Sequence, residues 1–86
     1  MYSIEVTDRA EKQLLALDAK TRARIEERID LLVEWPSGTL DVKPLRGRLA
    51  GQYRLRVGKY RVIFLVDDDG RRISLREIGP RGSVYR

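Results

Sequence analysis

Arginine is the side chain this sequence spaces as if for chemistry. Arg54, Arg56, Arg61, Arg76 and Arg81 fall in the C-terminal half, with Tyr53, Tyr60 and Tyr85 among them. Each guanidinium presents a planar fork of N–H donors that matches two oxygens of a phosphate. A tyrosine adds a stacking face or a hydroxyl. Together they could hold a phosphate and stack a base, which suits RNA whose bases are splayed out. Taken alone, this argues for nucleic-acid binding and stops short of cleavage.

Other chemistries lack their residues. The chain has no cysteine and no histidine, so thiolate nucleophiles, disulfides and the commonest metal ligands and general bases are missing. No glycine-rich phosphate loop and no Ser-His-Asp set is present. Asp67-Asp68-Asp69 offers carboxylates to a weakly held divalent cation, but an Asp-Gly pair follows and turn geometry is the simpler use. Neither a metal nor a cofactor is expected.

The arginines must be carried by strands. Gln52 to Val66 reads with a period of two as a β-hairpin closed at Gly58-Lys59. Pairing Val57 with Tyr60 sets Arg56 opposite Arg61, Leu55 opposite Val62 and Arg54 opposite Ile63. Tyr53, Leu55, Val57, Tyr60, Val62, Phe64 and Val66 then share one face, and Arg54, Arg56 and Arg61 the other. Like charges directly opposed on a sheet destabilise it. Either an anion normally lies between them or the arginines form a solvated, screened face. Tyr53 and Tyr60 belong by this alternation to the core, which leaves Tyr85 as the free aromatic.

Charge follows the same division. Residues 1–43 carry seven Lys/Arg and nine Asp/Glu, and residues 44–86 carry eleven and four, so the net +5 combines −2 with +7. Ten of those eleven basic residues are arginine. This asymmetry points to a polyanion, either nucleic acid or an acidic protein segment.

The remaining elements supply the support. Tyr2 to Val6 alternates as a short strand. Thr7 or Asp8 caps a first helix, with Asp8 and Glu11 at capping-box spacing, and Ala10, Leu14 and Leu17 face a core. Asp18 caps a second helix from about Ala19 to Glu34, with Ile25, Ile29, Leu32 and Val33 on one stripe. The acids and arginines of that helix are ordinary surface patterning. Trp35-Pro36 ends it. Thr39 to Gly51 is a connection bearing Lys43, Arg46 and Arg48, pinned by Leu45 and Leu49. A last strand, Arg71 to Ile78, follows the acidic turn. A two-residue Asp69-Gly70 loop would pair Asp68 with Arg71 and Ile63 with Arg76, placing Arg76 on the arginine face.

These 86 residues make a single domain, 1–86, whose 42% hydrophobic content exceeds what a disordered chain carries. The order β-α-α-β-β-β implies an α+β fold: an antiparallel sheet with an N-terminal helical hairpin on one face and a cationic face opposite. No apolar run is long enough to span a membrane and the first residues are no signal peptide, so a cytoplasmic protein is expected.

Lys43-Pro44-Leu45-Arg46-Gly47, the run Tyr53 to Ile63, the acidic turn, and Arg81 followed by Val84-Tyr85 resemble the RelE/ParE superfamily, the toxins of type II toxin–antitoxin modules. The resemblance covers nearly the whole chain and implies the fold just derived. The RelE branch is similar to a ribosome-dependent endoribonuclease that cuts mRNA in the ribosomal A site without a metal. Carried over by position, Arg54 and Arg56 stand where that branch usually has two lysines. Arg61 matches the arginine at the scissile phosphate, Arg81 the arginine after the last strand, and Tyr85 the tyrosine stacked on the base. Lys43, Arg46, Arg48 and Arg76 fall to RNA contact. The implied reaction is attack of a 2′-hydroxyl on its own 3′-phosphate.

Two departures matter. Arginine does not deprotonate in a protein, so positions 54 and 56 cannot supply a general base. The reaction would rest on orientation and electrostatic stabilisation, with an ionised Tyr85 or a ribosomal group moving the proton. Position 80 is proline where many relatives carry histidine. The resemblance also implies a cognate antitoxin as partner. It leaves two alternatives: a ParE-like inhibitor of DNA gyrase, and a catalytically degenerate relative that only binds RNA or its antitoxin.

Overall fold

Thr7 is the joint between the sheet and the helices. The structure is a computed structural model and describes residues 1–36 and 38–80. Its first strand, β1 (Ser3–Val6), stops at Thr7, whose hydroxyl accepts the N–H of Ala10 at 3.2 Å and donates to the Leu75 carbonyl at 2.8 Å. It therefore caps helix α1 (Asp8–Leu15) and ties it to the sheet. Of the two candidate caps, Thr7 is the one used. Thr7→Ala is expected to cost about 1–2 kcal/mol, read as a lower urea midpoint; an unchanged midpoint would contradict this double role.

Asp18 caps helix α2 (Ala19–Asp30), accepting the N–H of Thr21 at 3.1 Å. Hydrogen bonding from the Thr21 side chain first, and from its backbone second, holds the Asp18 carboxyl below its ordinary value. The α-helix is shorter than the stripe suggests. Its final turn, Leu31–Glu34, tightens to a 3₁₀ helix that keeps Leu32 in the core before Trp35-Pro36 ends it.

Beyond this turn come β2 (Val42–Pro44), β3 (Gln52–Val57), β4 (Tyr60–Asp67) and β5 (Arg72–Pro80), giving a five-stranded sheet in the order β1-β5-β4-β3-β2. The α+β class and the helical hairpin on one face are as the pattern implies. The sheet, however, is mixed: β1 pairs with β5 in parallel, Ser3 beside Arg72 through Val6 beside Leu75. A strand that pairs across most of the chain carries no turn to mark its direction. The three-residue β2, inside the expected connection, is too short to show a period, and it ends at Pro44 on a sheet edge that tolerates a missing N–H.

The hairpin register is as expected, Val57 facing Tyr60 and Arg56 facing Arg61. Gly58 closes it at φ +59°, the II′ pattern. Between β4 and β5 the expected register holds from Asp67 beside Arg72 to Phe64 beside Leu75, and then shifts by one. Arg76 is the bulged residue, and Ile63 faces Glu77 in its place. The bulge lies where β1 gives way to α1. Past that point Gln13 Oε1, not a strand, accepts the Ile78 N–H, at 2.7 Å. The extra residue changes the alternation, so Ile73, Leu75 and then Ile78 enter the core.

That core gathers Ala10, Leu14, Ile25, Ile29 and Leu32 from the helices with Leu55, Val57, Val62 and Phe64 from the hairpin. Trp35, Tyr53 and Phe64 form an aromatic cluster with ring centroids 5.0, 5.5 and 5.6 Å apart. Tyr53 and Tyr60 pack against this core, as their alternation requires. The acidic turn is engaged structurally: Asp67 accepts the Gly70 N–H at 3.1 Å and Asp68 accepts the Tyr2 hydroxyl at 2.8 Å. Among the described residues, no helix is long and apolar enough to cross a membrane.

Candidate nucleic-acid interface

On the sheet face opposite the core, the register builds two transverse rows. Lys43 on β2 faces Arg54, which faces Ile63, which faces Glu77. In the adjacent row Asp41, just ahead of β2, lies beside Arg56, which faces Arg61, which faces Gly79. Four cations from three strands, Lys43, Arg54, Arg56 and Arg61, are thereby juxtaposed on rigid elements.

Their environments differ sharply. Arg56 has a side chain 52% exposed, whereas Arg54 and Arg61 are only 8% and 6% exposed. The expected open face is thus closed at its centre. Both buried arginines sit on inner strands, flanked by neighbouring rows and by the equally buried Ile63. A buried guanidinium is costly unless paired and hydrogen-bonded. Arg54 has a partner, its Nη2 lying 3.2 Å from Asp41 Oδ1. Arg61 donates from Nη1 to the Tyr60 carbonyl at 3.2 Å, and no carboxylate pairs with it among the described residues. Nε of Arg54 and Nε of Arg61 are buried and, among the described residues, without a hydrogen-bond partner. Unsatisfied buried donors of this kind are rare, and one sound reason to keep them is a ligand that completes them.

Asp41 is the residue that sequence reasoning missed. Its Oδ2 accepts from Arg56 Nε at 2.8 Å, and its backbone carbonyl accepts the Arg56 N–H at 2.9 Å. One aspartate therefore bridges two of the arginines. A signal existed, since Asp41 is the sole acidic residue between Glu34 and Asp67.

The other sequence-derived candidates spread outward. Lys43 is exposed at the β2 edge, and Arg46 and Arg48 are exposed on the short turn between β2 and β3. Arg76 is exposed but does not take the expected place beside Ile63, because the bulge gives that place to Glu77. Arg81 and Tyr85 lie outside the described residues. A cleft of about 480 Å³, lined by Thr21, Arg24, Lys59 and Tyr60 among others, is on the helix side of the hairpin and separate from the arginine rows. The rows form a strip across strands, a shape that fits an extended polymer.

Comparison with known proteins places this geometry in context. The family model described as the ParE toxin of the type II toxin–antitoxin system parDE matches residues 4–85. The toxin RelG of Mycobacterium tuberculosis is 29% identical over 91 residues, spanning 99% of this chain and 97% of that protein. Among solved structures, the toxin–antitoxin complex RelBE2 of M. tuberculosis superposes with a TM-score of 0.81 at 28% identity, over 93% of this chain and 98% of the other. The archaeal RelE–RelB complex of Pyrococcus horikoshii does so with a TM-score of 0.78 at 31% identity, over 94% and 96%.

Proposed function

The chain belongs to the RelE/ParE toxin superfamily of type II toxin–antitoxin systems, and from that premise we propose that it is a RelE-like, ribosome-dependent endoribonuclease that cuts mRNA in the A site and halts translation. The observation that carries the reading is Arg61: a buried guanidinium directly opposite Arg56 that has, among the described residues, an unsatisfied Nε and no carboxylate. A phosphate between the two would complete the donors and relieve the like-charge opposition. Arg61 is also the position that the RelE resemblance assigns to the scissile phosphate. With Arg56 sharing that phosphate, Arg54 would hold the flanking backbone, Lys43, Arg46, Arg48 and Arg76 would contact RNA further out, and Arg81 and Tyr85 would complete the set. Catalysis is then chiefly positioning and charge stabilisation of the transition state. The target sets the compartment, the ribosome-bearing cytoplasm. The complexes of the similar toxins with RelB support a cognate antitoxin as the holding partner.

A second reading has one observation in its favour: the matching family model is described as a ParE toxin, which would make the chain a gyrase inhibitor with no chemistry of its own. The purified protein decides between the two when added in parallel to a translating extract and to a gyrase supercoiling reaction. Loss of intact mRNA with supercoiling unaffected is expected. Intact mRNA with supercoiling blocked would replace this reading with the second.

A further inference from the structure

Attack by a 2′-hydroxyl needs a proton acceptor, and the arginines at positions 54 and 56 cannot be one. We propose that Asp41 is the general base of the reaction, an assignment that rests on the RNA-cleavage reading above. Its carboxylate is already inside the arginine cluster, 2.8 Å from Arg56 Nε and 3.2 Å from Arg54 Nη2. It is 41% exposed, so a substrate can reach it.

The geometry of the guanidinium links this carboxylate to the phosphate. Arg56 gives Nε to Asp41, which leaves the donors of its outer edge for a phosphate oxygen. A planar fork used on both edges keeps base and phosphate about one guanidinium apart, so a 2′-hydroxyl on the ribose bearing that phosphate would approach the carboxylate alongside the guanidinium. The backbone tie from the Asp41 carbonyl to the Arg56 N–H, 2.9 Å, fixes the carboxylate on the sheet edge. The remaining acid of the two rows is unsuited. Glu77 is ion-paired with Arg9 at 2.8 Å and its side chain is 21% exposed.

In the step assigned, Asp41 takes the 2′-hydroxyl proton and the 2′ oxygen bonds to the adjacent phosphorus. The bond from that phosphorus to the 5′ oxygen of the next nucleotide breaks with its electron pair. The departing oxygen takes a proton from solvent water, and the resulting hydroxide is neutralised by the proton Asp41 releases. The products are a 2′,3′-cyclic phosphate and a 5′-hydroxyl, and the carboxylate is regenerated.

The test measures cleavage of translated mRNA by wild type, Asp41→Ala and Asp41→Asn, each first shown to melt cooperatively. Both variants are expected to cut about 10²–10⁴-fold more slowly while binding RNA as well as wild type or better, since a carboxylate that occupies Arg54 and Arg56 has gone. Added formate and acetate should restore cutting by Asp41→Ala, acetate more at equal concentration because it is the stronger base, and sulfate should not. A merely structural anion would not follow base strength. Cutting at the wild-type rate by both variants, or rescue by sulfate equal to that by acetate, would overturn the assignment and leave the nuclease reading standing. A wild-type protein that does not cut would overturn both.

Discussion

Arg61→Ala is expected to slow mRNA cleavage about 10²–10³-fold, the usual effect of removing one preorganised donor from a developing negative charge, without lowering the melting temperature. The two halves of this result come from the same observation. Arg61 is 6% exposed and, among the described residues, its Nε lacks a partner and Tyr60 supplies one carbonyl in place of a carboxylate. Among the described residues, the contacts of Arg61 do not offset the desolvation cost of burying it. Alanine removes that cost together with the opposition to Arg56, at the expense of some packing by the aliphatic stem. Stability should stay level or rise while activity falls, as expected of a residue kept for function. Arg61→Lys should not restore the rate, because an ammonium retains the charge and loses the planar fork. Cleavage assays and thermal melts on the same preparations check both halves. A variant that melts much lower would make Arg61 a structural residue and remove the support it gives to the proposed function.

Phe64→Ala should have the largest effect on the fold. Phe64 is fully buried on β4, packed against Trp35 with centroids 5.5 Å apart and Tyr53 at 5.6 Å. Truncating a buried phenylalanine costs about 3–5 kcal/mol from lost burial and the cavity left behind. Aromatic contacts of this kind add to the burial itself. Small domains have about 5–15 kcal/mol in total, so the variant loses much of its stability. In a domain of this size each kcal/mol moves the melting temperature by about 4–8 °C, and a fall of tens of degrees should appear by circular dichroism. A shift of only a few degrees would mean that the aromatic cluster is not the centre of the core.

What could be read from the sequence was local. The hairpin register followed from alternation and Gly58-Lys59 alone, and with it the opposition of Arg56 and Arg61 on one face. The Asp18 cap was equally plain, because a cap bonds a residue three positions on. What stayed hidden depends on distant partners. The parallel pairing of β1 with β5 joins residues about seventy positions apart. The bulge at Arg76 answers to Thr7 and Gln13 on the other side of the chain, which is why Arg76 left its expected row. In the sequence Asp41 falls within a linker, because its role comes from Arg54 and Arg56 on the neighbouring strand β3. The burial of Arg54 and Arg61 was likewise concealed, since alternation assigns a residue to a face and does not say how deep on that face it lies.

Primer extension on an mRNA undergoing translation in a reconstituted system tests the central claim most directly. With the purified protein present, new 5′ ends should appear within A-site codons, and they should vanish when ribosomes are omitted or when Arg61→Ala replaces the wild type. Uncut mRNA in the presence of folded wild-type protein would contradict the account.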